Sequence, residues 1–179
     1  PVSSTYKVQL GIDYSTAVSM IGDSRFIIKG IYGQKGEQVW LVDDENSYAA
    51  ATNQCDKEFL IQKFIEESYG RDIRVWVVGR KAVGAVLREN KTSFKSNISA
   101  GGTARKFDLT PEISRLAVEA TNAVGLEIAG VDILIGKNGY LLCEINGNAG
   151  FRSAVATAQR DVVQQMFQYL VVAKSAPFP

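Results

Sequence analysis

The chain has no histidine anywhere in its 179 residues. That absence removes Ser-His-Asp and Cys-His catalysis, histidine metal sites and histidine pH switching. Cysteine is also scarce: Cys55 and Cys143 stand alone, without the spacing of a metal-binding set. Cys143 falls in a predicted strand, where a buried structural thiol is expected, and a reducing, cytoplasmic compartment is the simplest fit. Charge of neither sign dominates. Twenty Lys and Arg against nineteen Asp and Glu give a formal net charge of +1, which supplies no general drive toward nucleic acid or an acidic membrane. Neither is expected as a partner, although a local basic cleft is compatible with this balance. No apolar run approaches the length needed to span a bilayer, and no signal peptide is read. The sequon Asn97-Ile98-Ser99 therefore carries little weight. Internal repeats, low-complexity tracts and flexible linkers are missing as well.

What remains is an ordinary globular composition, 46% hydrophobic and 22% charged, at a length suited to one medium domain or two small lobes. Strands are expected over Val2 to Leu10, Arg25 to Lys29, Gln38 to Val42 and Glu58 to Ile65. Tyr14 to Ile21 reads as a short helix, and Asp43 or Asp44 as the cap of another over Glu45 to Gln54. Arg71 to Val78 and Lys81 to Arg88 form a hairpin around Gly79-Arg80. The polar stretch Glu89 to Thr103 predicts a long mobile loop. Thr110-Pro111 opens a helix with the apolar stripe Ile113, Leu116, Ala117, Ala120 and Val124, and Gly125 ends it. A second hairpin turns at Asn138-Gly139, and a last amphipathic helix runs from about Ala154 to Ala173. Hairpins with helices between them argue for an α+β fold with antiparallel sheets.

The second hairpin carries Asp132, Glu144 and Asn146. Side chains alternate along a strand, so Glu144 and Asn146 share a face, and folding the hairpin brings Asp132 beside Glu144. Three hard oxygen donors suit magnesium held against phosphate. Acids on the wet face of a hairpin are the alternative, and spacing leaves both open. Lys29 ends an apolar strand before Gly30-Ile-Tyr-Gly33-Gln-Lys35-Gly36, where a lysine and approachable backbone N–H groups suit a phosphate; a hairpin loop with a surface lysine is the alternative, and from these residues alone the preferred one. Gln62-Lys63-Phe64-Ile65 offers an adenine-sized slot. Asp72 is placed to accept from a ribose hydroxyl, or else forms a surface pair with an arginine. Arg88, Lys95 and Asn97 gather around the polar loop, as phosphoryl transfer requires or as a solvated loop permits.

Taken in order, these segments resemble the RimK-type ATP-grasp ligases. The resemblance rests on Gln62-Lys-Phe-Ile, Gly70-Arg-Asp-Ile-Arg-Val-Trp-Val-Val-Gly, Phe94-Lys-Ser-Asn97, Gly101-Gly102, Leu109-Thr-Pro111, Ala129-Gly-Val-Asp132-Ile-Leu and Glu144-Ile-Asn146-Gly-Asn-Ala-Gly150-Phe. It implies an ATP-grasp fold of two lobes with largely antiparallel sheets flanked by helices and the nucleotide between them. The lobes are expected at residues 1–64, N-terminally incomplete for want of a pre-ATP-grasp domain, and 65–179. It implies an ATP- and magnesium- (or manganese-) dependent ligase that joins an amino acid, glutamate first, to an amine or peptide end through an acyl phosphate. Lys29 would contact the ATP phosphates. Lys63 and Phe64 would lie on the adenine strand, acting mainly through backbone groups, and Asp72 would lie on the ribose side. Lys95 and Asn97 would sit by the phosphates and the reacting carboxylate, with Arg88 orienting an acidic substrate. Asp132, Glu144 and Asn146 would hold the metal. The chain departs from the family at Lys63, where an acid is usual, and at Lys95, where arginine is usual. A non-catalytic or partner-dependent nucleotide-binding module is the alternative, and a domain that keeps only the fold is a third. An amino-acid or peptide substrate is the expected partner, and edge strands with an apolar C-terminal helix allow a homo-oligomer.

Overall fold

A computed structural model describes residues 1–32, 37–98, 101–157 and 159–175. Gly33 and Lys35 of the predicted phosphate loop, and Ser99 of the sequon, lie outside the described residues. The chain divides into two compact units, Pro1–Glu66 and Glu67–Pro179.

The first unit contains β1 (Thr5–Gln9), α1 (Tyr14–Ile21), β2 (Phe26–Gly30), β3 (Val39–Val42), α2 (Glu45–Thr52) and β4 (Glu58–Lys63). Its sheet has the order β1-β4-β2-β3, antiparallel throughout. Each helix starts where an aspartate accepts an otherwise orphaned backbone N–H: Asp13 from Thr16, and Asp44 from Ser47 in a reciprocal capping box. Phe26 and Ile28 alternate onto one face with Phe59 and Ile61, and close a core with Ala17, Ile21, Tyr48 and Ala51 from the helices. Lys29 follows Ile28 and so belongs to the opposite face of the sheet.

A 3-10 turn, Glu66–Ser68, precedes β5 (Arg71–Val78), β6 (Lys81–Glu89), β7 (Thr103–Lys106), α3 (Pro111–Ala123), β8 (Ile128–Gly136), β9 (Gly139–Asn146), α4 (Arg152–Ala156) and α5 (Arg160–Ser175). The sheet of this second unit has the order β7-β6-β5-β8-β9, again antiparallel. One face is apolar. Ile73, Val75 and Val77 join Leu87, Val131 and Ile133 beneath Ile113, Ala117 and Ala120 of α3. The other face is divided. Its Trp76 and Val86 end is covered by Ala154 and Val162 of α4 and α5, and its other end carries charge.

Several expectations change here. β7 starts at Thr103, the last residue of the stretch read as a polar loop, and was not expected as a strand. It pairs with β6 from Val86↔Lys106 to Glu89↔Thr103, and its own side chains have no apolar alternation to announce it. The loop before β7 is tied down rather than loose over residues 90–98. Gly70 donates its N–H to Phe94 and accepts from Asn90 N, and Asn90 Oδ1 caps Thr92. Gly102 N donates to Asn97 O. Val124 is 54% exposed and leaves the buried stripe of α3, because the helix has ended by then and Gly125 turns the chain at φ 69°. The single C-terminal helix is two, α4 and α5. Cys143 is the extra residue of a β-bulge, since Asp132 pairs with Glu144 while Ile133 pairs with Leu142, and it is half-buried rather than buried. On α5, Phe167 and Val171 form an exposed apolar strip.

Gly70 is the tightest joint between loop and sheet. It has φ 64°, and a Cβ there would lie 2.2 Å from Asn90 O and 2.5 Å from Ser93 O. Gly70→Ala is expected to cost about 2–4 kcal/mol in urea unfolding, with faster amide hydrogen exchange at Asn90.

Candidate active site

Directly paired residues share a face of an antiparallel sheet. The pairs Asp72↔Arg88, Arg74↔Asp132, Asp132↔Glu144 and Gly130↔Asn146 therefore put six polar side chains of four strands on the charged end of one face. Four of them form a continuous lattice. Arg74 donates to Asp132 twice, from Nε to Oδ1 and from Nη2 to Oδ2 at 2.7 Å. Arg88 Nη2 lies 2.9 Å from the same Oδ2. Arg88 also grips Asp72 with two prongs, Nε to Oδ1 at 2.7 Å and Nη2 to Oδ2. Asp132, Arg88 and Asp72 are 4%, 6% and 7% exposed, so the lattice is a neutral set of two cations and two anions in a dry setting. Two-pronged guanidinium–carboxylate pairs are among the strong hydrogen-bonded contacts available to a protein.

Burial opposes the charge on Arg88, but Asp132 and Asp72 outweigh it and raise the guanidinium above its ordinary range. Burial also raises the Asp72 carboxyl; Arg88 and a hydrogen bond from Ser96 pull the other way, and the nearby Asp132 charge adds to the rise. The Ser96 contact ties the loop bearing Lys95 and Asn97 to this lattice. Lys95 is half-buried, with its ammonium 5.6 Å from the centre of the Phe94 ring, and burial lowers its pKa below that of an ordinary lysine. Asn97 is half-buried at the turn closed by Gly102.

Glu144 is exposed beside the buried Asp132. Asn146 Nδ2 is buried and has no hydrogen-bond partner among the described residues. Among those residues no three His, Cys, Asp or Glu side chains converge, so the donor set here is two carboxylates and an amide. Such a set fits magnesium or manganese, which need only one or two carboxylates and complete their shell with other oxygens. The amide would offer its oxygen to the ion, while the unpartnered Nδ2, a donor, suits a phosphate oxygen beside it.

The structure thus brings Arg88, Lys95, Asn97, Asp132, Glu144 and Asn146 into one unit. Lys29, Lys63 and Phe64 belong to the other. Lys63 is exposed at the end of β4, and its N–H donates to Ser4 O at 2.9 Å, so that backbone donor is already used and does not serve an adenine. Phe64 is buried with the Arg25 guanidinium 4.9 Å above its ring. Asp72 departs from expectation more sharply. It is neither a surface pair nor directed to a ribose, because Arg88 engages both of its oxygens inside the sheet face. Arg74 was missed. The signal was strand alternation: Asp72 and Arg74 are two apart on β5 and share a face.

The RimK-like ATP-grasp domain matches residues 4–170, and the chain belongs to that family. Its relatives include the probable alpha-L-glutamate ligase of Legionella pneumophila (strain Corby), 33% identical over 174 residues, which cover 95% of this chain and 58% of that protein. The chain spans little more than half the length of that relative. Among solved structures, the ATP-grasp ligase PsnB complexed with minimal precursor superposes with a TM-score of 0.74 at 18% identity, covering 98% of this chain and 55% of PsnB. PsnB complexed with minimal precursor, Mg and ADP gives 0.67 at 19% identity, covering 93% and 53%. These likenesses show the two-lobed ATP-grasp fold.

The buried lattice makes a stability prediction. Asp72→Ala leaves Arg88 with one of its two carboxylates and is expected to cost about 3–5 kcal/mol in chemical denaturation. Glu144→Gln, at an exposed position, is expected to cost less than about 0.5 kcal/mol. Equal losses would contradict the lattice.

Proposed function

We propose that this chain carries the catalytic core of an ATP- and magnesium-dependent ligase that joins an amino acid, glutamate first, to an amine or peptide end. The observation that supports it is the charged end of the second sheet. Asp132, Glu144 and Asn146 stand there beside buried Arg88, in a chain of the RimK-like family. The names of the glutamate ligase relatives and the Mg and ADP bound by PsnB point the same way.

In this reading Asp132, Glu144 and Asn146 hold the metal, with manganese able to substitute. When bound, the ion neutralises phosphate charge and aligns the transferred phosphoryl group. The protein supplies no nucleophile of its own. Asp72 fixes Arg88 through Nε and Nη2, so Nη1 is the guanidinium nitrogen that neither aspartate takes. That edge orients an anionic substrate carboxylate. Lys95 and Asn97, held over the same unit by the Gly70, Ser96 and Gly102 contacts, bring a cation and an amide to the phosphates and the reacting carboxylate. Lys29 is assigned to the ATP phosphates in the same reading. The substrate carboxylate attacks the γ-phosphorus and ADP leaves. The amine then attacks the acyl carbon, phosphate leaves, and the amine's proton passes to solvent. Catalysis of this kind rests on alignment and charge, which a chain without histidine can provide.

The test is ADP release from ATP and magnesium with a panel of amino acids and glutamate-ended peptides. Release is expected to require an amino acid and to fall at least ~100-fold in Glu144→Gln and Asp132→Asn, consistent with loss of a metal ligand. Nucleotide binding by calorimetry with no ADP formed under any combination would assign the chain to the alternative, a non-catalytic or partner-dependent nucleotide-binding module.

A further inference from the structure

Asp132 is more constrained than a metal-binding carboxylate needs to be. An ionised carboxylate offers about four lone-pair sites. Arg74 Nη2 and Arg88 Nη2 both address Oδ2, and Arg74 Nε addresses Oδ1. A single site is left, on Oδ1. The lane that Arg74 occupies is itself built into the sequence. A Cβ on Gly130 would lie 3.1 Å from Arg74 Cδ and 2.5 Å from the Ala149 Cβ, so the glycine leaves room for the arginine to run beside β8 and meet the carboxylate with two prongs.

We propose that Arg74 is a positioning residue that restricts Asp132 to one metal-facing lone pair and thereby selects a small octahedral divalent cation over calcium. This rests on the metal reading of Asp132, Glu144 and Asn146. Calcium takes six to eight oxygens and commonly draws both oxygens of a carboxylate, whereas magnesium and manganese accept one oxygen per carboxylate in a tighter shell. A clamp that denies Asp132 its second oxygen therefore penalises calcium more than magnesium. Lysine in place of Arg74 keeps a cation beside the buried aspartate but cannot reproduce the two-pronged grip, so it separates geometry from charge.

The experiment uses the whole chain with saturating ADP. Manganese binding is followed by electron paramagnetic resonance, and magnesium and calcium are titrated as competitors. Wild type is expected to prefer magnesium to calcium. Arg74→Lys is expected to raise the calcium-to-magnesium affinity ratio about tenfold, as the freed oxygen turns to the larger ion. Arg74→Gln should shift the ratio in the same direction, and melting temperatures for both variants record any loss of fold. Equal weakening of all three ions, or an unchanged ratio, overturns the proposal. If the ratio is unchanged while Asp132→Asn abolishes manganese binding, the positioning role alone falls. If wild type binds no manganese, the metal reading falls with it.

Discussion

Buried charge must be paired, and in this protein that requirement organises one whole sheet face. Arg74, Asp132, Arg88 and Asp72 form a neutral lattice on three neighbouring strands. Removing ions from water costs several kcal/mol each, so each of the four is stabilised by the opposite charges beside it. Pairing fixes the rotamers of both arginines and both aspartates, and it fixes them from strands rather than loops. The result is a rigid, pre-aligned polar surface, a suitable platform for a reaction carried by orientation and charge.

The rest of the second unit serves that surface. On the reverse face, α3 packs Ile113, Ala117 and Ala120 against valines and isoleucines of the same strands, so the platform has a solid backing. At the other end of the polar face, Trp76 stacks on Phe151, ring centres 6.3 Å apart, and Val162 of α5 closes over Gly84. Among the described residues, the charged end of this face is not covered by α4 or α5. Glycines recur where space decides the design: Gly130 admits Arg74, Gly84 admits α5, and Gly70 admits the loop that carries Lys95.

Most of the strands and helices were legible because their signals are local. Asp13, Asp44 and Thr110 cap helices through contacts within three residues, and the Asn138-Gly139 hairpin declares its own register. Alternation puts Glu144 and Asn146 on one face, but the turn's register alone would set Asp132 opposite Cys143, and it is the bulge at Cys143 that brings Glu144 opposite Asp132. β7 was not legible, because an edge strand of Thr-Ala-Arg-Lys owes its conformation to β6 and not to its own pattern. Nor was the role of Asp72. Its charge suggested a solvent-facing ligand group, and only the pairing of β5 with β6 reveals Arg88 opposite it. The face of Arg74 was readable from its spacing to Asp72, but its partner lies fifty-eight residues away on β8. Long-range pairing decides which charged residues are buried, and one strand's sequence does not contain it.

On the proposed function, this charged sheet face binds a metal–nucleotide complex. Paramagnetic broadening by manganese–ADP, recorded on the amide spectrum of the isotopically labelled chain, tests it most directly. The amides of Gly130, Asp132, Glu144 and Asn146 are expected to broaden first, while those of α3, behind the sheet, broaden later. Broadening that is absent, or that begins on α3 or elsewhere away from these four residues, would contradict it.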